Sequence, residues 1–111
     1  MRVARQWSLD GEEINNSDTY RLVDNTELNN LVVSTTTLYP GKQTRGHSHE
    51  DQEEVYMFTR GEGYINLDGK EFAAKEGDVF TIKAKVFHQV RNPHPEFALH
   101  FMCIFEGKRN H

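Results

Sequence analysis

Between Leu31 and Phe105 the chain is a succession of short β-prone runs with turn formers between them, and no window in that span shows a helical period. The run "LVVSTTTLY" is β-branched and stops at Pro40-Gly41, and "EVYMFTR" stops at "GEG". "YINL" followed by "DGKEF" reads as a tight hairpin with Asp68-Gly69 at its tip. "GDVFTI", "KVFHQV" and "FALHFMCIF" continue the series. Strands this short, punctuated this regularly, bury their apolar sides only by closing into a sandwich or small barrel. The expectation is an all-β fold with less than about a quarter of its residues in helix.

With 111 residues there is room for one core. Within it, residues 1–30 form an N-terminal arm or edge strands and residues 31–111 the barrel. Residues 10–30 are polar and rich in turn formers, so they are expected as a strand or two with loops, or as an arm that packs on a partner. Aromatic residues make up 11% of the chain, which supplies burial that disordered chains lack. The net charge of −4 argues against nucleic acid as a partner, because phosphate contacts need a basic face. One cysteine, Cys103, allows no internal disulfide and no multi-cysteine zinc site. No apolar run reaches membrane-spanning length and "MRVARQWSLDGEE" has no apolar signal core, so no membrane partner and a cytoplasmic location are expected.

The chemistry is concentrated in "GKQTRGHSHEDQEEVYMFTRG". On an extended segment His47 and His49 point to one face, because side chains alternate with a period of two. Glu54 stands an odd number of residues beyond His49, so the chain must bend across "EDQE" for it to join them. After the bend Glu54, Tyr56 and Phe58 share one face, and Val55 and Met57 the other. Two imidazoles and a carboxylate converging inside a barrel suit a divalent transition metal. His88, in the middle of an apolar strand, is the candidate fourth ligand. Imidazoles bind metal only when neutral, so occupancy is expected to fall below about pH 6.

The same residues resemble the two motifs of the cupin superfamily. Gly41, His47, His49, Glu54 and Gly61 fill every fixed position of the first motif. Gly77, His88 and Asn92 fit the second, but Lys83 and Lys85 stand where proline and glycine are usual. Those two departures concern the turn before the histidine strand, not a ligand. The resemblance spans residues 31–105 and implies an antiparallel jelly-roll, the double-stranded β-helix of a small single-domain cupin. It implies one divalent transition metal ion (Fe, Mn, Ni, Zn, Co or Cu), a small-molecule ligand and a homodimer. Activities across such proteins include sugar and sugar-phosphate isomerases or epimerases, dioxygenases and non-catalytic binding or sensing modules. The first class is the expectation here, and the other two are its alternatives.

Tyr56, Phe58, Tyr64, Phe80, His100 and Phe101 are candidates to line a substrate pocket, though each has a simpler place in the core or at an edge. His94, between two prolines, reads as a loop residue. Arg45 and Arg60 flank the first motif and could meet an anionic substrate, but a solvated charge is the simpler reading of both. Cys103 reads as a small core residue. No general base stands out beyond the ligands; Gln52, Glu53 and Tyr56 are the nearest candidates.

Overall fold

A computed structural model describes residues 1–109; residues 110 and 111, the end of the segment assigned to the barrel, lie outside the described residues. Among those described there is no helix. The strands are β1 (Ala4–Arg5), β2 (Ser8–Leu9), β3 (Glu12–Asn16), β4 (Tyr20–Asn25), β5 (Leu31–Leu38) and β6 (Glu54–Arg60). They continue with β7 (Glu62–Leu67), β8 (Lys70–Lys75), β9 (Val79–Ile82), β10 (His88–Arg91) and β11 (Leu99–Glu106). Every pairing is antiparallel. A six-stranded sheet runs β3-β4-β5-β11-β6-β9, a three-stranded sheet runs β10-β7-β8, and β1 and β2 form a separate small hairpin. This is the all-β antiparallel jelly-roll barrel expected from the strand series.

Alternation builds the core. Along β5 the even-numbered residues Val32, Ser34, Thr36 and Leu38 are buried and their neighbours are not. Along β6 Glu54, Tyr56 and Phe58 turn inward while Val55 and Met57 are half-buried, the division expected beyond the "EDQE" bend. Leu38, Phe58, Ile65, Leu99 and Phe101 meet between the two sheets, and full burial of side chains of this size stabilises by roughly 1.5–3 kcal/mol each. The hairpin joining β7 to β8 turns at Asp68 and Gly69, whose φ values of 52° and 89° are those of a type I′ turn. Its tip is fastened to the strand that carries His88: the Phe87 amide donates to Asp68 Oδ1 at 2.8 Å, and the Asp68 amide to the Phe87 carbonyl at 2.9 Å.

The polar N-terminal segment is more integrated than its composition suggests. β4 lies beside β5 in the chain's own sheet, with Leu22, Val23 and Asp24 buried, and β3 forms the outer edge. Asp24 is tolerated inside because Arg109 meets it with two hydrogen bonds of 2.6 Å, and the guanidinium also donates to Ser34 Oγ at 3.0 Å. No helix among the described residues is long and apolar enough to cross a membrane.

Candidate metal centre

Three separate elements carry the four ligand-type side chains. His47 and His49 lie on the segment before the bend, where His47 bridges to His88 through paired backbone hydrogen bonds of 3.1 and 2.9 Å. Glu54 opens β6 and is held in register by Ile82 on one side and Phe105 on the other. His88 opens β10. The bend between His49 and Glu54 is pinned by Gln52, whose Nε2 donates to the carbonyls of Glu106 and Lys108 at 2.8 Å each. Opposite it, Lys83–Val86 forms a turn closed by the Val86 amide on the Lys83 carbonyl, with Lys85 at φ 70°. That geometry calls for glycine at Lys85's position. The Lys85 amide still reaches the His49 carbonyl at 2.6 Å, so the lysine keeps the turn's shape at the expense of backbone strain.

One ligand-type atom from each of His47, His49, Glu54 and His88 lies within 4.8 Å of all the others. His49, Glu54 and His88 are buried and His47 is half-buried. His88 Nδ1 lies 3.0 Å from the Val86 carbonyl, which can only accept, so the ring proton sits on Nδ1. Its Nε2 is then a lone pair directed at the cluster, buried and without a hydrogen bond, 3.4 Å from Glu54 Oε1. His49 Nε2 approaches the same carboxylate oxygen at 2.8 Å. Lone pairs brought this close to a carboxylate need a cation or a proton among them. Three imidazole nitrogens and one carboxylate oxygen are a donor set that divalent transition ions take, and the outer hydrogen bond of His88 is of the kind that fixes a ligand's tautomer.

A Cupin domain family model matches residues 34–105. The chain belongs to the cupin family. Over 52 residues this cupin is 36% identical to an uncharacterised protein of Methanocaldococcus jannaschii, a stretch covering 47% of the chain and 42% of that relative. Over 55 residues it is 34% identical to an oxalate-binding protein of Thermotoga maritima, covering 50% of the chain and 46% of that protein. The matched stretch thus spans less than half of each relative's length. The fold matches that of KdgF from Halomonas sp. with a TM-score of 0.78 at 15% identity, covering 91% of this cupin and 90% of that chain.

A cavity of about 760 Å³ opens on the cluster, within the usual range for small-molecule sites of about 300–1,000 Å³. His47 and Glu54 face it, while His49 and His88 are not part of its lining. Of the aromatic and histidine candidates, Tyr56 and Phe101 line this cavity, their rings stacked with centroids 5.5 Å apart. Phe58, Tyr64, Phe80 and His100 do not line it. Phe58 is buried in the core against Phe80 and Phe101. Tyr64 lies under the Arg91 guanidinium. His100 sits beside Thr37 on the six-stranded sheet, and burial, with Arg60 nearby, holds its pKa below the usual 6.5.

Tyr56 and Cys103 face each other across the β6–β11 pairing and share a side-chain hydrogen bond. Burial pushes the phenol well above its usual pKa, with the charges of Cys103 and Glu54 adding to it. Burial likewise raises the Cys103 thiol, with Glu54 adding. Both groups are therefore protonated at neutral pH. Cys103 is a core residue that also lines the cavity, a second role the sequence did not suggest. Arg109 and Gln89 line the cavity too. Gln89 follows His88 directly and could have been suspected from that. Arg109 had no signal, since its contact with Asp24 joins the two ends of the chain.

Proposed function

We propose that this cupin holds one divalent transition metal ion through His47, His49, Glu54 and His88 and binds a small oxygenated metabolite against it. The observation that carries the reading is the convergence of four ligand atoms within 4.8 Å at a cavity large enough for a metabolite. An ion held there supplies Lewis acidity toward a carbonyl or carboxylate oxygen entering from the cavity side. The chain's own part is to present Tyr56 as a neutral hydroxyl and Gln43, Thr44 and Gln89 as polar contacts in the lining. The oxalate-binding name of one relative agrees with an oxygen-rich, acidic ligand.

Isomerase- or epimerase-type chemistry on a sugar or sugar phosphate is the catalytic version of this reading, and a metal-dependent dioxygenase is its alternative. One observation favours binding without turnover. Among the described residues, the cavity lining holds no carboxylate or imidazole other than Glu54 and His47. A proton-shuttling isomerase needs a base near its operating pH, and the two buried titratable groups beside Glu54, Tyr56 and Cys103, stay protonated. Proton NMR in D2O distinguishes these versions. Aldose phosphates, ketose phosphates and small acids are incubated with cobalt-loaded and chelator-stripped protein. Metal-dependent exchange of a carbon-bound proton supports the isomerase, and metal-dependent line broadening without exchange supports the binding module. Ligand effects identical with and without metal contradict the whole reading.

Two further elements belong to the proposal. Two copies pair through β3, an edge strand exposed along its whole length with Ile14 on its surface. Light scattering at micromolar concentration tests this, and a monomer contradicts it. The cytoplasm is the compartment, in keeping with the free, buried thiol of Cys103.

A further inference from the structure

The cavity lining holds two arginines, and they differ in one respect that bears on the ligand. Arg109 is half-buried and offset by Asp24, with two hydrogen bonds of 2.6 Å. Burial works against its charged form and is outweighed by those bonds, which leaves the pair neutral as a unit. Arg45 stands on the same short segment as His47, is exposed while lining the cavity, and forms no ion pair among the described residues. The position is that of a residue at the mouth. Its segment is not a loose loop. The Thr44 amide donates to the Val90 carbonyl at 2.9 Å, Thr44 Oγ1 accepts from the Val90 amide at 3.0 Å, and Gln89 Nε2 donates to the Thr44 carbonyl at 2.8 Å. Gln43 bridges to Arg91. Arg45 is thus carried on backbone tied to the strand that begins with His88.

Charge along the cavity then has a simple form. A divalent ion with the Glu54 carboxylate and three neutral imidazoles leaves one positive charge at the inner end. The Arg109–Asp24 pair contributes none. Arg45 contributes a second positive charge at the mouth, and apart from Glu54, already counted at the inner end, the lining holds no acid to offset it. Two separated positive charges in the cavity of a chain whose net charge is −4 mark the place where a dianion is favoured.

We propose that Arg45 is a specificity-determining residue that selects a two-headed acid. One end, a 2-hydroxy or 2-oxo carboxylate, meets the metal centre, and the other, a second carboxylate or a phosphate, meets the Arg45 guanidinium. This rests on the metal-centre reading above and adds the second anionic head and the residue that reads it. A guanidinium suits either head because its planar donors match carboxylate and phosphate oxygens in pairs.

The test is calorimetry on the cobalt-loaded chain with three probes: lactate, which has the chelating end alone; malate, which adds a carboxylate; and 3-phosphoglycerate, which adds a phosphate. Malate or 3-phosphoglycerate should bind at least about tenfold tighter than lactate, as charge-assisted hydrogen bonds allow. The tighter of the two identifies the second head. Arg45→Gln should remove that advantage and leave lactate within about twofold, a pattern that misfolding would not produce. Arg60→Gln is the control. Arg60 lies in a separate, smaller pocket with Glu62, His94 and Phe97, so its loss should change nothing. Equal binding of malate and 3-phosphoglycerate by wild type and Arg45→Gln overturns the inference and leaves Arg45 a solvated charge. So does failure of all three acids to bind protein that has taken up cobalt, and there the metal centre itself survives. If the chain takes up no cobalt, the metal-centre reading fails and the inference falls with it.

Discussion

Lys85 shows how a single residue departs from its site's preference without changing the site. Its φ of 70° lies in the left-handed region, which costs a non-glycine residue roughly 1–2 kcal/mol. The carbonyl it supports belongs to His49, so the turn cannot relax without moving a ligand-type residue. Lys85→Gly should therefore raise stability by up to about 1 kcal/mol, the relief of strain less glycine's extra freedom in the unfolded chain, as read by urea unfolding. His100 gives a pH effect of definite sign. Its folded pKa is depressed, so the folded state binds fewer protons than the unfolded state below the usual value of 6.5. Stability from this group is complete above that pH and is lost as pH falls toward the lowered folded value. Chelator-stripped His100→Gln should show a flatter stability profile below pH 6.5 than the stripped parent. At this scale His47, His49, Glu54 and His88 were legible, because a period of two, one bend and a mid-strand histidine locate them. The pocket aromatics were not. Alternation puts Tyr56 and Phe58 on one face and says nothing about depth, and only Tyr56 reaches the cavity.

The strand beginning at His88 and the segment Gln43–His47 act as one element, joined by the His47–His88 and Gln43–Arg91 bridges. Gly46 lets the segment turn between Arg45 and His47 at φ 83°, and a Cβ there would stand 2.5 Å from the Phe87 ring. That ring can move, but the left-handed backbone remains a cost of roughly 1–2 kcal/mol for alanine. Gly46→Ala should weaken cobalt binding by about tenfold, because the strain is relieved most directly by displacing His47. Titration of stripped protein with cobalt checks this, and unchanged affinity contradicts it. Asn92 locks the far end of the same element. Its Nδ2 donates to the carbonyls of Leu38, Tyr39 and Phe97 at 3.0, 3.2 and 2.9 Å, all from a buried position. Asn92→Ala leaves buried carbonyls unmet and should cost about 2–4 kcal/mol in urea unfolding. The barrel strands and the Asp68-Gly69 turn were readable because β-branched runs and the Asp-Gly pair carry local physics. The place of β4 was not, since its partner β5 is chosen by tertiary packing and its buried Asp24 depends on Arg109 at the other end of the chain.

For the whole molecule, the β3–β4 hairpin is a wall of the site as well as an edge of the sheet. Ile14, Asn15, Thr19, Tyr20 and Leu22 all line the cavity, and β4 covers the edge of β5. Removing residues 1–25 should expose that edge and leave the remainder prone to aggregate rather than a smaller, stable barrel. The cavity, the bend and the His88 strand have one common purpose in this account, which is to hold an ion where a ligand can reach it. The most direct measurement is metal content by elemental analysis of protein loaded with cobalt and then desalted. Wild type and His94→Ala, whose ring accepts backbone amides in its own loop and packs on Phe97, should each carry about one ion per chain, and His49→Ala should lose it sharply. Equal metal in all three contradicts the metal-centre reading.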